Sequence, residues 1–297
     1  EFDGICSAHA MVLRARSSAM LPEFLPFLLQ SDMFYRKAME ISVGSLSPTI
    51  NKTPLARLEF PLPPLDEQRR IAEILWAADV ALEQHQRVRA QLMLLKATWR
   101  EQWFLDVNKD SRQPVVALGD ATTIQNGQVD PTESPYCDMV HIAPDDIESE
   151  TGKILEMKTA AQDGMTSGKY LFGAGAVLYS KIRPNLKKVA LTSFPGVCSA
   201  DIYPIYPLTG MLPGYLKELL LSRQYTSYAM AHSTRSAIPK INRAALQKFQ
   251  FRLPSIEDQL AFVEVSSRMA ETSTEAENHV MLTRGLARNP VNQLLSV

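Results

Sequence analysis

The sequence predicts an α+β protein in which mixed-sheet domains alternate with two long helices that pair as an antiparallel coiled coil. Three observations carry that expectation. Part of the chain occurs twice, an uninterrupted helical pattern follows the first copy, and strand-type runs fill the stretch between the copies. Leu21-Pro22 through Gln68 aligns without a gap with Leu212-Pro213 through Gln259, at a constant offset of 191, and 18 of 48 positions are identical. The identities include Leu28-Leu29/Leu219-Leu220, Ser31/Ser222, Ile50-Asn51/Ile241-Asn242, Phe60/Phe251 and Leu62-Pro63/Leu253-Pro254. A repeat this long and this widely spaced is not a solenoid unit. It is a duplicated domain-plus-helix module.

Residues 1–20 read as strand-like, with Ala10-Met11-Val12-Leu13 as the best run. The spacing of Phe24, Leu25, Leu28 and Leu29 predicts a helix over 21–42. Ser47 to Asn51 reads as a loop, and Leu58 to Pro64 as a short strand stopped by prolines. Asp66 is then placed to cap a helix from about Glu67 to Leu105, with acidic charge in its first turn. Ile71, Leu75, Ala78, Leu82, His85, Leu92, Leu95 and Trp99 fall on roughly one face, with the 3/4 spacing interrupted between His85 and Leu92. So long a helix reads as a spacer or coiled-coil arm, with His85 a partly exposed residue of its seam.

The second domain runs from about Val115 to Pro254 and opens with Val115-Val116-Ala117-Leu118-Gly119-Asp120 and the turn signal Asn126-Gly127. Tyr170 to Phe172 and Ala176 to Ser180 read as strands. A second, more polar helix starts at Ser255 to Gln259 and ends near Gly285 or Pro290. The expected division is therefore 1–65 for the first domain, 66–106 for the first helix, 107–256 for the second domain and 257–297 for the second helix. The stretch from about Pro114 to Ser193 has no counterpart before the first copy, so the first domain is expected to be the C-terminal part of a larger one, in a protein truncated at its N-terminus.

A hydrophobic fraction of 45% and a charged fraction of 21% belong to an ordinary globular chain. No apolar run reaches membrane-spanning length, and no signal peptide opens the sequence. Three cysteines without metal-ligand spacing argue against disulfides and zinc, so a reduced, intracellular protein is expected. Cys6 and Cys198 occupy matching positions and read as core residues. The net charge of −1 conceals a polarity. Nine acidic residues and two lysines lie between Asp130 and Asp163, whereas twelve basic residues between Met165 and Arg252 face only Asp201 and Glu218. Such an excess is the footprint of a surface that neutralises phosphates, although a solvated basic face has the same composition.

Three segments stand out together. One is the junction Phe60-Pro61-Leu62-Pro63-Pro64-Leu65-Asp66-Glu67-Gln68, echoed by Phe251-Arg252-Leu253-Pro254-Ser255-Ile256-Glu257-Asp258-Gln259. The others are Val177 to Lys188, and Leu118-Gly119-Asp120 followed by Asn126-Gly127. The second junction departs from the first in having Ser255 where the first has Pro64. Together the three segments resemble the specificity subunit of type I restriction-modification enzymes, a resemblance that covers essentially the whole chain. It implies a non-catalytic subunit in which each target-recognition domain reads one half of a split DNA sequence and the helices set the gap. It also implies two methyltransferase subunits and a nuclease/translocase as partners, S-adenosylmethionine bound by those methyltransferases and not by this chain, and a prokaryotic cytoplasm.

DNA reading needs cations for phosphates and paired polar groups for base edges. Lys181, Arg183, Lys187 and Lys188 form a tight basic cluster that the Pro184-Asn185 turn is placed to project. Lys187 and Lys188 are expected on phosphates, and Arg183 on a phosphate or a guanine. Thr234, Arg235, Ser236 and Lys240 form a second candidate loop, whose counterpart in the first copy keeps the framework residues and has no cation. Asn126 and Gln128 carry amides suited to adenine. Two other readings compete with DNA recognition. Asp145 with Glu156 and Lys158 has the spacing of a magnesium-dependent nuclease, and a coiled-coil adaptor without DNA contact would account for the helices alone. Leu171 to Gly175 faintly resembles the glycine loop that holds S-adenosylmethionine, but no Asn-Pro-Pro-Tyr or Asp-Pro-Pro-Tyr element accompanies it, which argues against an embedded methyltransferase.

Overall fold

The computed structural model describes residues 4–7, 9–234 and 236–294, with side chains as far as Thr283. The chain divides into two compact units. One takes in the chain up to Ala90 together with the stretch from Thr274 onward, and the other spans Gln91–Ser273.

The first unit contains α1 (Leu25–Gln30), α2 (Asp32–Glu40), α3 (Lys52–Leu55) and the beginning of α4 (Leu65–Lys109). Ser31 separates α1 from α2: its hydroxyl accepts from the Phe34 N–H and donates 2.7 Å to the Leu28 carbonyl. Phe24, Phe27 and Leu28 pack on Ile71, Ala72 and Leu75 of α4. Trp76 closes this core, with its ring edge-on to Phe27 at 5.2 Å and its indole N–H donating 3.0 Å to the Glu23 carbonyl. Helix α4 starts directly after Pro64, so Asp66 lies inside its first turn and does not cap it. The strands expected at 10–13 and 58–64 do not form, and Met11, Val12 and Leu13 are exposed. A strand needs a neighbour for its backbone groups. Residues 250–252, the counterparts of 59–61, pair with a neighbouring strand, and among the described residues of the first unit 59–61 have no strand beside them.

In the second unit β1 (Val115–Ala117) leads through α5 (Leu118–Ala121) to β2 (Thr122–Ile124), β3 (Gln128–Val129), β4 (Val140–Ile142) and β5 (Lys158–Thr159). There follow β6 (Lys169–Phe172), β7 (Val177–Ser180), β8 (Val189–Leu191), β9 (Gly196–Cys198) and β10 (Ile202–Pro207). Helices α6 (Pro213–Leu221), α7 (Arg223–Ala231) and α8 (Arg243–Gln247), strand β11 (Gln250–Arg252) and α9 (Ile256–Leu294) complete the order. The strands form a four-stranded sheet β2-β10-β7-β8, a five-stranded sheet β3-β6-β9-β4-β5 and the pair β1-β11. Because β4 runs parallel to β9 and antiparallel to β5, the larger sheet is mixed, as expected. Strand β7 is buried on both faces. Val177 and Tyr179 enter a core shared with the helices, and Leu178 enters the core beside Ile142, Phe172 and Cys198. Cys198 is buried within this layer, whereas Cys6 is exposed, so the matched pair does not share a core role.

The long helices pair antiparallel within each unit. In the first, His85 stacks on His279 at 5.3 Å and Arg89 lies 3.9 Å from Glu277, which places His85 in the seam. In the second, the buried Phe262 of α9 is flanked by Trp99 at 4.7 Å and Trp103 at 4.8 Å. Helix α9 continues through Gly285 and Pro290, past its expected end. Among the described residues no helix is long and apolar enough to cross a membrane.

The two copies share one buried device. The Gln68 amide accepts from the Leu21 N–H at 2.9 Å and donates to the Ala19 and Pro63 carbonyls at 3.0 and 2.8 Å. Gln259 accepts from the Leu212 N–H and donates to the Gly210 and Pro254 carbonyls, each at 2.9 Å. Both side chains have no exposed surface. Only a primary amide offers an acceptor and two donors at one point, so each glutamine ties the stretch leading into α1 or α6 to the first turn of its long helix. The Pro64/Ser255 difference leaves this intact, because Ser255 caps α9 by accepting from the Asp258 N–H at 3.1 Å.

One seat differs in chemistry. Phe27 in the first copy corresponds to Glu218 in the second, and Leu75 to Ser266. Glu218 is buried, accepts 2.9 Å from the Ser266 hydroxyl, and meets Arg100 and Lys96 of α4, each at 3.2 Å. Burial pushes its carboxyl upward, but Lys96, Lys217 and Arg100 together outweigh that and hold it down at about 2.

Two outcomes follow for stability. Gln259→Ala strands a buried N–H and two carbonyls and should lower unfolding free energy by about 3 kcal/mol, read from urea midpoints. Because the folded-state value of Glu218 lies below that of an unfolded carboxyl, its contribution is complete above about pH 5 and is lost as pH falls towards 2. The unfolding free energy of Glu218→Gln, read from urea titrations, should therefore start lower at neutral pH, by about 3 kcal/mol, and vary less than wild type between about pH 5 and 3.

Candidate nucleic-acid interface

The edge of the second unit beyond β7 is built by two loops stitched together. After Ser180 the chain enters a short 3₁₀ turn, Pro184–Leu186, flanked by Arg183 and Lys187, both left-handed at φ 47°. Residues with a side chain seldom adopt that conformation, and surrounding contacts hold it here. Ile182 bridges Lys240. The Arg183 N–H donates 2.8 Å to the Pro239 carbonyl, and the Ile241 N–H donates 3.0 Å to the Lys181 carbonyl. The loop 233–240 also closes on itself, through the Thr234 N–H to the Lys240 carbonyl at 3.0 Å. Val43 and Thr49 make the equivalent closure in the first copy, so the scaffold is shared while Thr49 gives way to Lys240.

A third element joins these loops. Arg243, at the start of α8, donates to the Asn126 side-chain oxygen and, at 3.0 Å, to the Gln125 carbonyl. Its guanidinium lies 5.6 Å from the centre of the Tyr203 ring, and the Lys181 ammonium lies 5.3 Å from the same ring. Tyr203 is thus an aromatic floor under two cations. Burial raises its hydroxyl pKa, with Arg243 opposing, so it stays a neutral phenol at ordinary pH. Asp201, between β9 and β10, accepts 3.2 Å from Lys240 and lies 3.8 Å from Lys181.

Lys181, Arg183, Lys240 and Asn126 are thereby gathered along one edge. Arg183 is exposed, and among the described residues its guanidinium has no partner. Asn126 has one face of its amide oxygen committed to Arg243. The Thr234 and Ser236 hydroxyls serve the loop itself: Thr234 accepts from the Lys240 N–H at 3.1 Å, and Ser236 donates 2.7 Å to the Ile238 carbonyl. Gln128 stands apart, exposed on edge strand β3 against Gly168. Gly127 makes the turn between β2 and β3 at φ 78° and so connects two different sheets. Arg235 lies outside the described residues.

Lys187 and Lys188 turn the other way, against the acidic segment. Lys187 lies 3.5 Å from Glu150. Lys188 donates 2.7 Å to the Pro144 carbonyl and 3.3 Å to Asp145. Other members of the basic excess are also spoken for within the fold. Lys169 is buried and bonds Ser167, Lys217 belongs to the Glu218 cluster, and Arg252 donates to the Asn108 and Gln113 carbonyls. The nuclease spacing does not assemble either: Asp145 pairs with Lys188, and Glu156 pairs with Lys158 at 3.0 Å. Among the described residues no group of His, Cys, Asp and Glu is arranged to hold a metal ion.

Tyr203, Arg243 and Asp201 were not singled out as site residues by the sequence. The last two were visible only as one cation among twelve and one of two opposing acids.

Comparison with known proteins agrees with this architecture. A family model described as type I restriction modification DNA specificity domain matches residues 1–92. The specificity subunit of the Escherichia coli type I restriction enzyme EcoDI is 30% identical over 310 residues, covering 92% of this chain and 67% of that subunit. A solved structure from work on complex assembly and conformational transition of the type I R-M system superposes with a TM-score of 0.58 at 18% identity, covering 95% of this chain and 72% of the other. The S subunit of the type I restriction-modification system of M. genitalium superposes with a TM-score of 0.57 at 12% identity, over 92% and 72% of the two chains. At these identities the two structures speak for the fold alone.

Proposed function

The chain belongs to the specificity subunits of type I restriction-modification systems, non-catalytic DNA-recognition proteins, and we propose that its second unit reads one half of a split DNA sequence through the edge formed by Lys181, Arg183, Lys240, Arg243 and Asn126. The observation that carries this reading is the sorting of the cations. Lys169 and Lys217 are held within the fold and Lys187 and Lys188 face the acidic segment, whereas Arg183, Lys240 and Lys181 are brought to one edge by the Ile182–Lys240 bridge. Lys240 gives one N–H to Asp201, and an ammonium has three donors, so the lysine keeps N–H groups for a phosphate. In this reading Lys181 and Lys240 neutralise phosphates and Arg183 reaches a phosphate or a guanine edge. Asn126, with Arg243 bonded to its oxygen, presents its amino group.

We further infer that the antiparallel helices fix the gap between half-sites and provide the seats for two methyltransferase subunits. The cofactor S-adenosylmethionine then belongs to those partners, the nuclease/translocase joins in the full complex, and the assembly works in a prokaryotic cytoplasm.

Two measurements test the reading. In the assembled complex, Lys181→Gln and Lys240→Gln should each reduce the slope of log affinity against log salt by about 0.9. Lys188→Gln should leave that slope alone. An equal loss at Lys188 would contradict the sorting of cations, and a salt-insensitive wild type would favour an adaptor without DNA contact. Inserting one heptad after Glu83 should widen the gap of the methylated motif, read by methylome sequencing, and leave both half-sites as they were. Altered half-sites would defeat the spacer role.

A further inference from the structure

A surface that only neutralised phosphates would have no use for a carboxylate in its middle, yet Asp201 occupies that position. Its side chain is 35% exposed and lies between Lys181 and Lys240. Its backbone is fixed as well, since its carbonyl accepts 2.9 Å from the Lys181 N–H and its own N–H donates 3.2 Å to the Ser199 hydroxyl. Within 165–252 the sequence has one other acid, Glu218, which is buried in its own cluster. Both lysines approach the same carboxylate oxygen, Oδ1, and among the described residues no hydrogen bond reaches Oδ2. The group is therefore oriented by two cations and retains a free acceptor at the exposed edge.

Base edges differ in what they offer such an acceptor. In the major groove cytosine presents its N4 amino group and adenine its N6 amino group, both donors, where guanine and thymine present carbonyl oxygens. A carboxylate accepts from the first two and is repelled by the others. Resting on the DNA-reading role of this edge, we propose that Asp201 is a specificity-determining residue. It accepts a hydrogen bond from the exocyclic amino group of a cytosine or adenine in the half-site, while Lys181 and Lys240 hold it in place and engage the neighbouring phosphates. The lysines supply affinity, and the carboxylate supplies discrimination by penalising bases that present an oxygen.

The test uses the protein assembled with its methyltransferase subunits and a pool of duplexes of randomised sequence, with retained duplexes sequenced. Wild type should retain a split motif with cytosine or adenine at one position of the second unit's half-site. Asp201→Ala should relax that position by roughly tenfold in relative retention and leave the others unchanged. Asp201→Asn, which keeps the shape and adds a donor, should shift the same position towards guanine or thymine. Lys240→Gln should lower retention of all duplexes and relax the Asp201 position less than Asp201→Ala does. The proposal is overturned if both Asp201 variants leave every position as in wild type, or if they weaken all duplexes uniformly, as an ion pair that merely positions the lysines would. If wild type enriches no split motif at all, the DNA-reading role itself fails and the assignment of Asp201 falls with it.

Discussion

The buried glutamine at the start of each long helix is the contact on which the rest depends. Gln68 and Gln259 each join three backbone segments that are otherwise independent: the stretch leading into α1 or α6, the proline two residues before the long helix, and the long helix itself. An extended segment and a helix have no hydrogen-bond pattern in common, so their junction leaves backbone groups that a side chain must satisfy. A primary amide does this in one step. Once the junction is fixed, the apolar turns that follow, Ile71 to Leu75 in one copy and Phe262 in the other, are directed onto the domain that precedes them.

The copies use one frame with different chemistry at equivalent places. Phe27 meets the α4 face in the first copy, and its counterpart Glu218 meets Ser266, Lys96 and Arg100 in the second. A buried carboxylate is tolerated only with such partners, and a phenylalanine in that seat would leave the cations stranded. The two seats are therefore not interchangeable, although their backbones repeat. The same division appears at the exposed edge, where the closure between 43 and 49 matches that between 234 and 240 while the outward residues differ.

Charge in this protein is divided between structure and surface. The acidic segment around Asp145 to Glu150 neutralises Lys187 and Lys188, and Glu218 gathers Lys96, Lys217 and Arg100. What remains on the edge is smaller and more ordered than the sequence excess suggests. Tyr203 lies beneath Lys181 and Arg243, and Asp201 stands between Lys181 and Lys240.

The duplication, the two long helices, the mixed-sheet class and the turn at Asn126-Gly127 could be read directly from the residues, because each leaves a local or periodic trace. So could the candidate loops around Lys181 and Lys240, which the fold brings together. The strands at 10–13 and 58–64 were misread because strand formation depends on a partner that residues in the run do not reveal. Which cations face outward was decided only by tertiary structure. Lys188 meets Asp145 across 43 positions and Lys240 meets Asp201 across 39, and Arg243 reaches Asn126 across 117. Patterns along the chain register periodicity over a few residues. The pairing of charges depends on distances that exist only after the sheets have packed.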